Sequence, residues 1–328
     1  MEKLYNELCN KMMLSGSQNL IGIWKILCDE EEVKLALLLP GLSEELAPKM
    51  GKSVKEMDKM LHTLFIKGVA FKSKRDGKTG YKLAKNLTQL HDATIVWDGA
   101  TDELYELWKN VLDIDMTALL KSLPKEFSMP TTLRVIPVAQ TIEPGSSVLH
   151  YEECVKLLDD AAKIAVVKCP CRLSQKNCDA PVESCIQINR GADYALDRGH
   201  GREITKNEAV KILAEAAKAG LVHVVENRDQ TSFICNCCSC CCESLRVLIN
   251  TGKDWILAPS RYMAQVDASE CTSCGDCADI CPFDAITMGD AAVIDEAACR
   301  GCGVCSVNCP ADAIILKETR PVSHIPTK

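Results

Sequence analysis

Aromatic residues make up only 5% of this 328-residue chain, which leaves no broad platform for stacking nucleic-acid bases. No apolar run approaches the roughly 18–20 residues that span a bilayer; Leu35–Leu39 is a short core stretch ended by Pro40. The opening Met1-Glu2-Lys3-Leu4-Tyr5-Asn6-Glu7 carries no apolar signal region. No Gly-x-Gly-x-x-Gly segment follows a strand pattern and there is no Walker A loop, so built-in nicotinamide, flavin or ATP sites of those types are not expected. Neither a Ser–His–Asp order nor a paired-carboxylate motif stands out, and no residue is assigned a catalytic role.

What is abundant is sulfur. Of 21 cysteines, 18 fall within residues 169–309. A chain this long, 47% apolar, has core enough to fold without disulfide stapling, so the thiols read as metal ligands in a reducing, cytoplasmic setting. Cys9, Cys28 and Cys154 stand apart and read as small buried hydrophobes.

The C-terminal segment is an internal repeat of period 28: Cys271, Cys274, Cys277, Cys281 and Pro282 recur as Cys299, Cys302, Cys305, Cys309 and Pro310. Each half reads Cys-x2-Cys-x2-Cys-x3-Cys-Pro. Zinc also accepts Cys-x2-Cys, but a third cysteine at the same spacing, a fourth followed by proline and a full duplication go beyond a zinc knuckle. The run resembles that of bacterial-type two-cluster ferredoxins. The resemblance implies a ferredoxin fold over residues 263–328 with two 4Fe–4S clusters, one on Cys271, Cys274, Cys277 and Cys309, the other on Cys299, Cys302, Cys305 and Cys281. Gly275, Gly301 and Gly303 would let the loop backbone approach a cluster, and Pro282 and Pro310 would turn the chain away after each last ligand. This segment holds ten Asp or Glu against four Lys or Arg, a charge balance suited to steering a basic partner.

Upstream lie Cys169, Cys171, Cys178 and Cys185, and then Cys235, Cys237, Cys238, Cys240, Cys241 and Cys242. An extended Cys169-Pro170-Cys171 would project both thiols to one side, with Cys178 and Cys185 joining from the loop. In the denser segment, a helix starting near Cys237 would align Cys238, Cys241 and Cys242 on one face, or Cys237, Cys240 and Cys241 on another. These ten thiols suffice for one or two further iron–sulfur clusters within residues 169–242. One cluster per segment, ligands shared between segments, a non-cubane cluster on the denser segment, and a four-thiolate zinc site at Cys169–Cys185 all remain open.

The N-terminal region is helical. Ser17–Cys28, Glu31–Leu39 and Ser43–Met50 have helical apolar spacing, and Ser53 with Glu56 forms a capping box for a helix burying Val54, Met57, Met60, Leu61, Leu64 and Phe65. After Gly68, Val69–Lys74 and Thr79–Leu83 read as a hairpin turning at Arg75-Asp76-Gly77-Lys78. Helix–turn–helix followed by a hairpin resembles a winged-helix domain. Further helices are expected over Asp102–Val111, Met116–Leu123, His150–Lys163 and Lys206–Ala219, the last with a Thr205–Glu208 capping box. Strands are expected over Leu133–Val138, Ile164–Val167 and Leu221–Val225. The expected class is α+β and multidomain: a winged-helix-like helical domain over 1–130, an α/β cysteine-rich domain over 131–262 and the ferredoxin domain over 263–328.

From Arg134-Val135-Ile136-Pro137-Val138 through Cys169-Pro170-Cys171-Arg172, Gly199-His200-Gly201-Arg202 and Gly220-Leu221-Val222-His223 to Cys235-Asn236-Cys237-Cys238, the chain resembles multi-cluster ferredoxin-like proteins of anaerobic bacteria and archaea. That resemblance implies an electron-transfer subunit or partner of a larger oxidoreductase. Two other functions are weighed. Residues 49–85 carry eleven Lys or Arg against three Asp or Glu, with Lys55 and Lys59 on the second helix and Lys72, Lys74, Arg75 and Lys78 on the wing, as a DNA-binding redox regulator would need. The helix lacks the Arg, Asn and Gln usually used to read bases. A reductase with its catalytic cluster at Cys235–Cys242 is the third. His200 reads as a turn histidine and His223 as a core histidine.

Overall fold

The computed structural model describes residues 2–75, 77–124, 126–138, 154 and 156–327. They form two compact units, one of residues 1–125 with 170–176, the other of residues 126–169 with 177–328.

The first unit is mostly helical. It begins with α1 (Glu2–Lys11), α2 (Gln18–Leu27), α3 (Glu30–Leu38), α4 (Ser43–Met50) and α5 (Val54–Ile66). Side chains cap these helices where the sequence allows: Ser17 accepts from the Leu20 amide, and Asp29 with Glu32 and Ser53 with Glu56 form reciprocal capping boxes. Gly51 closes α4 in the left-handed conformation. The α5 helix buries Met57, Leu61, Leu64 and Phe65, but Val54, expected inside, is exposed because it occupies the first turn beside the cap. The hairpin follows as β1 (Ala70–Arg75) and β2 (Lys78–Leu83), paired from Ala70↔Leu83 to Arg75↔Lys78. Asp76 of its turn lies outside the described residues. A bridge from Gly41 to Tyr81 adds a third short extended segment beside the hairpin.

Next come α6 (Leu87–Ile95), a helix not expected from the sequence, α7 (Asp102–Asn110), a π-helical turn over Val111–Met116, and α8 (Thr117–Ser122). Asn86 and Thr101 cap α6 and α7. The core here is built on Trp24 and Trp108, both fully buried.

The second unit is organised around an antiparallel six-stranded sheet of β3 (Leu133–Ile136), β4 (Ile164–Lys168), β5 (Glu183–Ile188), β6 (Gly201–Glu203), β7 (Val222–Glu226) and β8 (Phe233–Cys237). Its strand order is β3-β7-β8-β5-β4-β6. Between β4 and β5 the chain contributes α9 (Pro170–Gln175) to the first unit, where that helix packs on α6 and α7. Two further helices, α10 (Arg190–Asp197) and α11 (Lys206–Lys218), precede β6 and β7 respectively. Thr205 caps α11, but the Glu208 side chain pairs with Arg202 at 2.7 Å instead of completing a box. Much of the expected helix over His150–Lys163 lies outside the described residues; residues 156–159 are helical.

The sheet is buried on both faces, so its strands read as apolar runs such as Ile164–Val167. One face packs Ile136, Val166, Ile186, Val225 and Ile234 against Ala209 and Leu213 of α11. The other packs Val135, Val222, Val224 and Cys237 against Leu245 and Leu248 of α12 (Glu243–Thr251), and against Cys302 and Val304 of the cysteine repeat.

The repeat itself is framed by β9 (Tyr262–Val266), α13 (Asp276–Asp279), β10 (Ile286–Met288), β11 (Ala292–Ile294), α14 (Val304–Val307) and β12 (Ile314–Glu318). Strand β9 pairs antiparallel with β12 and β10 with β11. Among the described residues, no helix is long and apolar enough to cross a membrane.

Gly68 ends α5 at φ +83°, and a Cβ there would stand 2.6 Å from the backbone carbonyl of Ala93 in α6. Gly68→Ala is expected to cost about 2–3 kcal/mol by combining left-handed strain with overlap against backbone. Thermal or urea unfolding of the first unit's signal checks this; an unchanged midpoint would contradict the packing described.

Candidate metal centres

The duplication in the sequence is also a duplication of backbone shape. Ser273 (φ 56°), Gly275 (φ 90°) and Asp284 (φ 51°) are left-handed, and so are Gly301 (φ 64°), Gly303 (φ 78°) and Asp312 (φ 50°), each 28 positions on. Gly275 and Gly303 launch the short helices α13 and α14, which carry Cys277 and Cys305 inward. Gly301 is fixed by crowding, since a Cβ would fall 1.9 Å from the Tyr262 carbonyl oxygen. At Gly303 a Cβ would stand 2.7 Å from the Leu316 Cδ1, a side-chain end that can shift, so its left-handed φ is the stronger demand there. At Gly275 nothing lies within 4 Å of the Cβ position, so only its left-handed φ calls for glycine there.

These loops line two pockets. One is lined by Cys299, Cys302 and Cys305 of the second run with Cys281 of the first, beside Pro282 and Gly303. The other is lined by Cys271, Cys274 and Cys277 with Cys309 of the second run, beside Pro310 and Gly275. Each pocket therefore gathers three thiols from one run and the fourth from the other. No carboxylate or imidazole lines either one. An all-sulfur donor set is a soft one and suits iron–sulfur clusters.

Burial shapes the acidity of these thiols. It pushes Cys302 up to about 12 and also raises Cys305 and Cys277. Backbone hydrogen bonds at Ala292 and then Ser273 pull Cys271 down. The Ala285 amide donates to the Cys281 sulfur at 3.4 Å, the kind of contact that tunes a metal-bound thiolate. Thiols held protonated by burial give up their protons only to a metal, so loading releases protons. The two halves differ in access: Cys274 is exposed, whereas its counterpart Cys302 is buried at 7%.

The middle cysteines regroup relative to the sequence expectation. Cys169-Pro170-Cys171 is not extended. Pro170 opens α9, a position that suits its fixed φ and missing N–H, so the chain turns helical before Cys171. Cys171 instead lies with His91 and Asp92, their potential donor atoms within 4.8 Å of one another, a grouping that no spacing pattern signals. His91 is fully buried and touches Asp92 at 3.0 Å and Ser174 at 3.2 Å. Cys169 is buried at the end of β4, its amide donating to the Val182 carbonyl at 2.7 Å, and Cys185 sits opposite Val167 on β5.

The helix expected to start near Cys237 begins later. Cys235 and Cys237 belong to β8, opposite Val224 and Val222; residues 238–241 form a turn; Cys242 caps α12. Pairing of β8 with β7 and β5 outweighs the helical spacing of these cysteines. The thiol of Cys237 is raised by its contacts with Cys235 and Cys242. The turn brings Cys238, Cys240 and Cys241 together with Cys178, a thiol group drawn from both segments. Cys178 and Cys238 stand 3.8 Å apart, as do Cys178 and Cys241.

Burial lowers His200 to about 3, with Arg198 adding to the effect, and lowers His223 to about 4 against a hydrogen bond with Asn236. Burial thus favours the neutral form of both.

Residues 264–287 and 292–315 match the 4Fe-4S binding domain family, one match per repeat. No curated protein and no solved structure matches the chain. The C-terminal repeat is thus a pair of 4Fe–4S binding motifs. Cys274→Ser and Cys302→Ser are each expected to lower the iron content by about four atoms per chain and remove one reducible centre. Anaerobic iron analysis with EPR reads this; full iron retention in either variant would contradict the grouping of thiols around the cavities.

Proposed function

We propose that the chain is an electron-transfer protein, a subunit or redox partner of a larger oxidoreductase, that relays single electrons. The observation that carries this reading is the pair of all-thiol cavities with exchanged fourth cysteines, inside a matched 4Fe-4S binding domain pair. In this reading Cys271, Cys274, Cys277 and Cys309 hold one 4Fe–4S cluster and Cys299, Cys302, Cys305 and Cys281 the other. When bound, such clusters supply exchange of one electron at a time.

The chain's own residues do the rest. Thiolates bind, left-handed loops orient them, and apolar neighbours such as Ile286 and Ile314 keep water from the sulfurs. Amide donors such as that of Ala285 adjust how readily each site accepts charge.

A third cluster site is supported on the sheet face bearing Cys235 and Cys237. Cys242 contacts Cys237, and the β5–β8 pairing of Ile186 with Ile234 sets Cys185 in register with Cys235. Cys235, Cys237 and Cys242 pack in the same core as Cys302. A continuous line of thiols from the repeat into the sheet is what a relay requires. The acidic balance of residues 263–328 supports docking to a basic partner face.

The order α3, bridge at Gly41, α4, α5 and hairpin supports a winged-helix reading of the first unit. Three of its four wing cations have partners within the unit. Arg75 pairs with Glu45 at 3.1 Å, Lys78 with Glu44 at 3.0 Å, and Lys72 lies 4.5 Å from the Phe65 ring. Cations so engaged favour a protein-docking module over a DNA reader.

Anaerobically reconstituted protein is expected to hold about twelve cluster irons and to take up several electrons in a potentiometric titration. It should reduce no small substrate without a partner. Colourless, redox-silent protein would overturn the proposal. Tight, sequence-selective DNA binding in a gel shift would replace docking with regulation.

A further inference from the structure

We propose that Cys178, Cys238, Cys240 and Cys241 hold a single tetrahedral metal ion, zinc or one iron, and not a further iron–sulfur cluster. The argument is metric. The Cys178 sulfur lies 3.8 Å from that of Cys238 and 3.8 Å from that of Cys241, and Cys240 lies 3.8 Å from Cys241. All four sulfurs fall within 4.8 Å of one another.

For a metal–sulfur bond of about 2.3 Å, sulfurs at the corners of a tetrahedron stand about 3.8 Å apart. A cubane places its four thiolates on four different metal atoms, which sets their sulfurs roughly 6 Å apart. The eight repeat thiols and the Cys178 group differ in this way. Among the described residues, no three of the eight repeat thiols gather within 4.8 Å; they spread around the two pockets. A disulfide does not explain the tight group, because an S–S bond is about 2 Å long and joins two sulfurs, not four.

The surroundings are built to hold this spacing. Residues 238–241 make a turn that aims three thiols inward from four successive positions. The Asn177 side chain donates to the Cys240 carbonyl at 2.9 Å, locking the loop that carries Cys178 onto that turn. Backbone hydrogen bonds at Ala180 and Asn177 reach the sulfurs of Cys178 and Cys241, as outer contacts do around a thiolate-bound metal. All four ligands are thiols, the donor set of a closed structural zinc site and of a one-iron centre alike. The ion would clamp the loop before β5 to the turn between β8 and α12, joining segments about sixty residues apart.

The site rests on its own geometry, so it stands or falls apart from the electron-transfer reading. The test uses the full chain, produced with zinc and iron supplied and kept anaerobic, as wild type and as the Cys178→Ser, Cys238→Ser double variant. Metal and acid-labile sulfide are counted in both. The expected result is loss of about one zinc, or of one iron without sulfide, with cluster iron unchanged. Loss of about four irons together with their sulfide would overturn the proposal, and so would no change in any metal. Should the variant fail to fold, X-ray absorption on the wild type decides. Four sulfurs at about 2.3 Å with no metal–metal neighbour at the zinc edge, or a separate one-iron component by Mössbauer spectroscopy, supports the site. Absence of both overturns it.

Discussion

Thiols packed this densely cannot all ionise unless a cation joins them. Burial holds Cys302, Cys305 and Cys277 protonated, and mutual contact does the same to Cys237. Metal resolves the conflict, because each bound ion or cluster removes several protons and links chain segments that apolar packing alone would leave loosely joined. The second unit depends on that exchange. Its sheet and α12 share one core with cysteines of the repeat, so the scaffold and the donor sets are one construction.

The repeat was legible because ligation there is local. Three thiols within seven residues must wrap one object, and a proline after the fourth fixes where the chain leaves. The structure adds what spacing cannot carry: the exchanged fourth cysteine now appears as two cavities, and Gly301 proves necessary for its approach to Tyr262 as well as for its left-handed turn.

The middle segment was only partly legible. Cys178 finds its partners through strand pairing of the whole sheet, which no local pattern encodes. Pro170 is a natural first residue of a helix, which argues against an extended Cys169–Cys171. Cys235 and Cys237 alternate with Ile234 and Asn236 at a strand's period of two, a pattern masked by the crowd of cysteines after it. In the first unit, the capped helices and hairpin followed from local signals, whereas α6 escaped because its apolar residues are interrupted by His91 and Thr94, both fully buried through side-chain hydrogen bonds.

The two halves of the repeat share a backbone but not a setting. Gly301 is pressed against Tyr262, and Cys302 is sealed into the sheet's core, while the equivalent Ser273 and Cys274 look outward. The repeat therefore has a front door and a back room. Molecular oxygen, or any small oxidant diffusing up from solvent, meets the sulfur of Cys274 first, so damage begins at the outer lobe and the inner one is the last to be stripped.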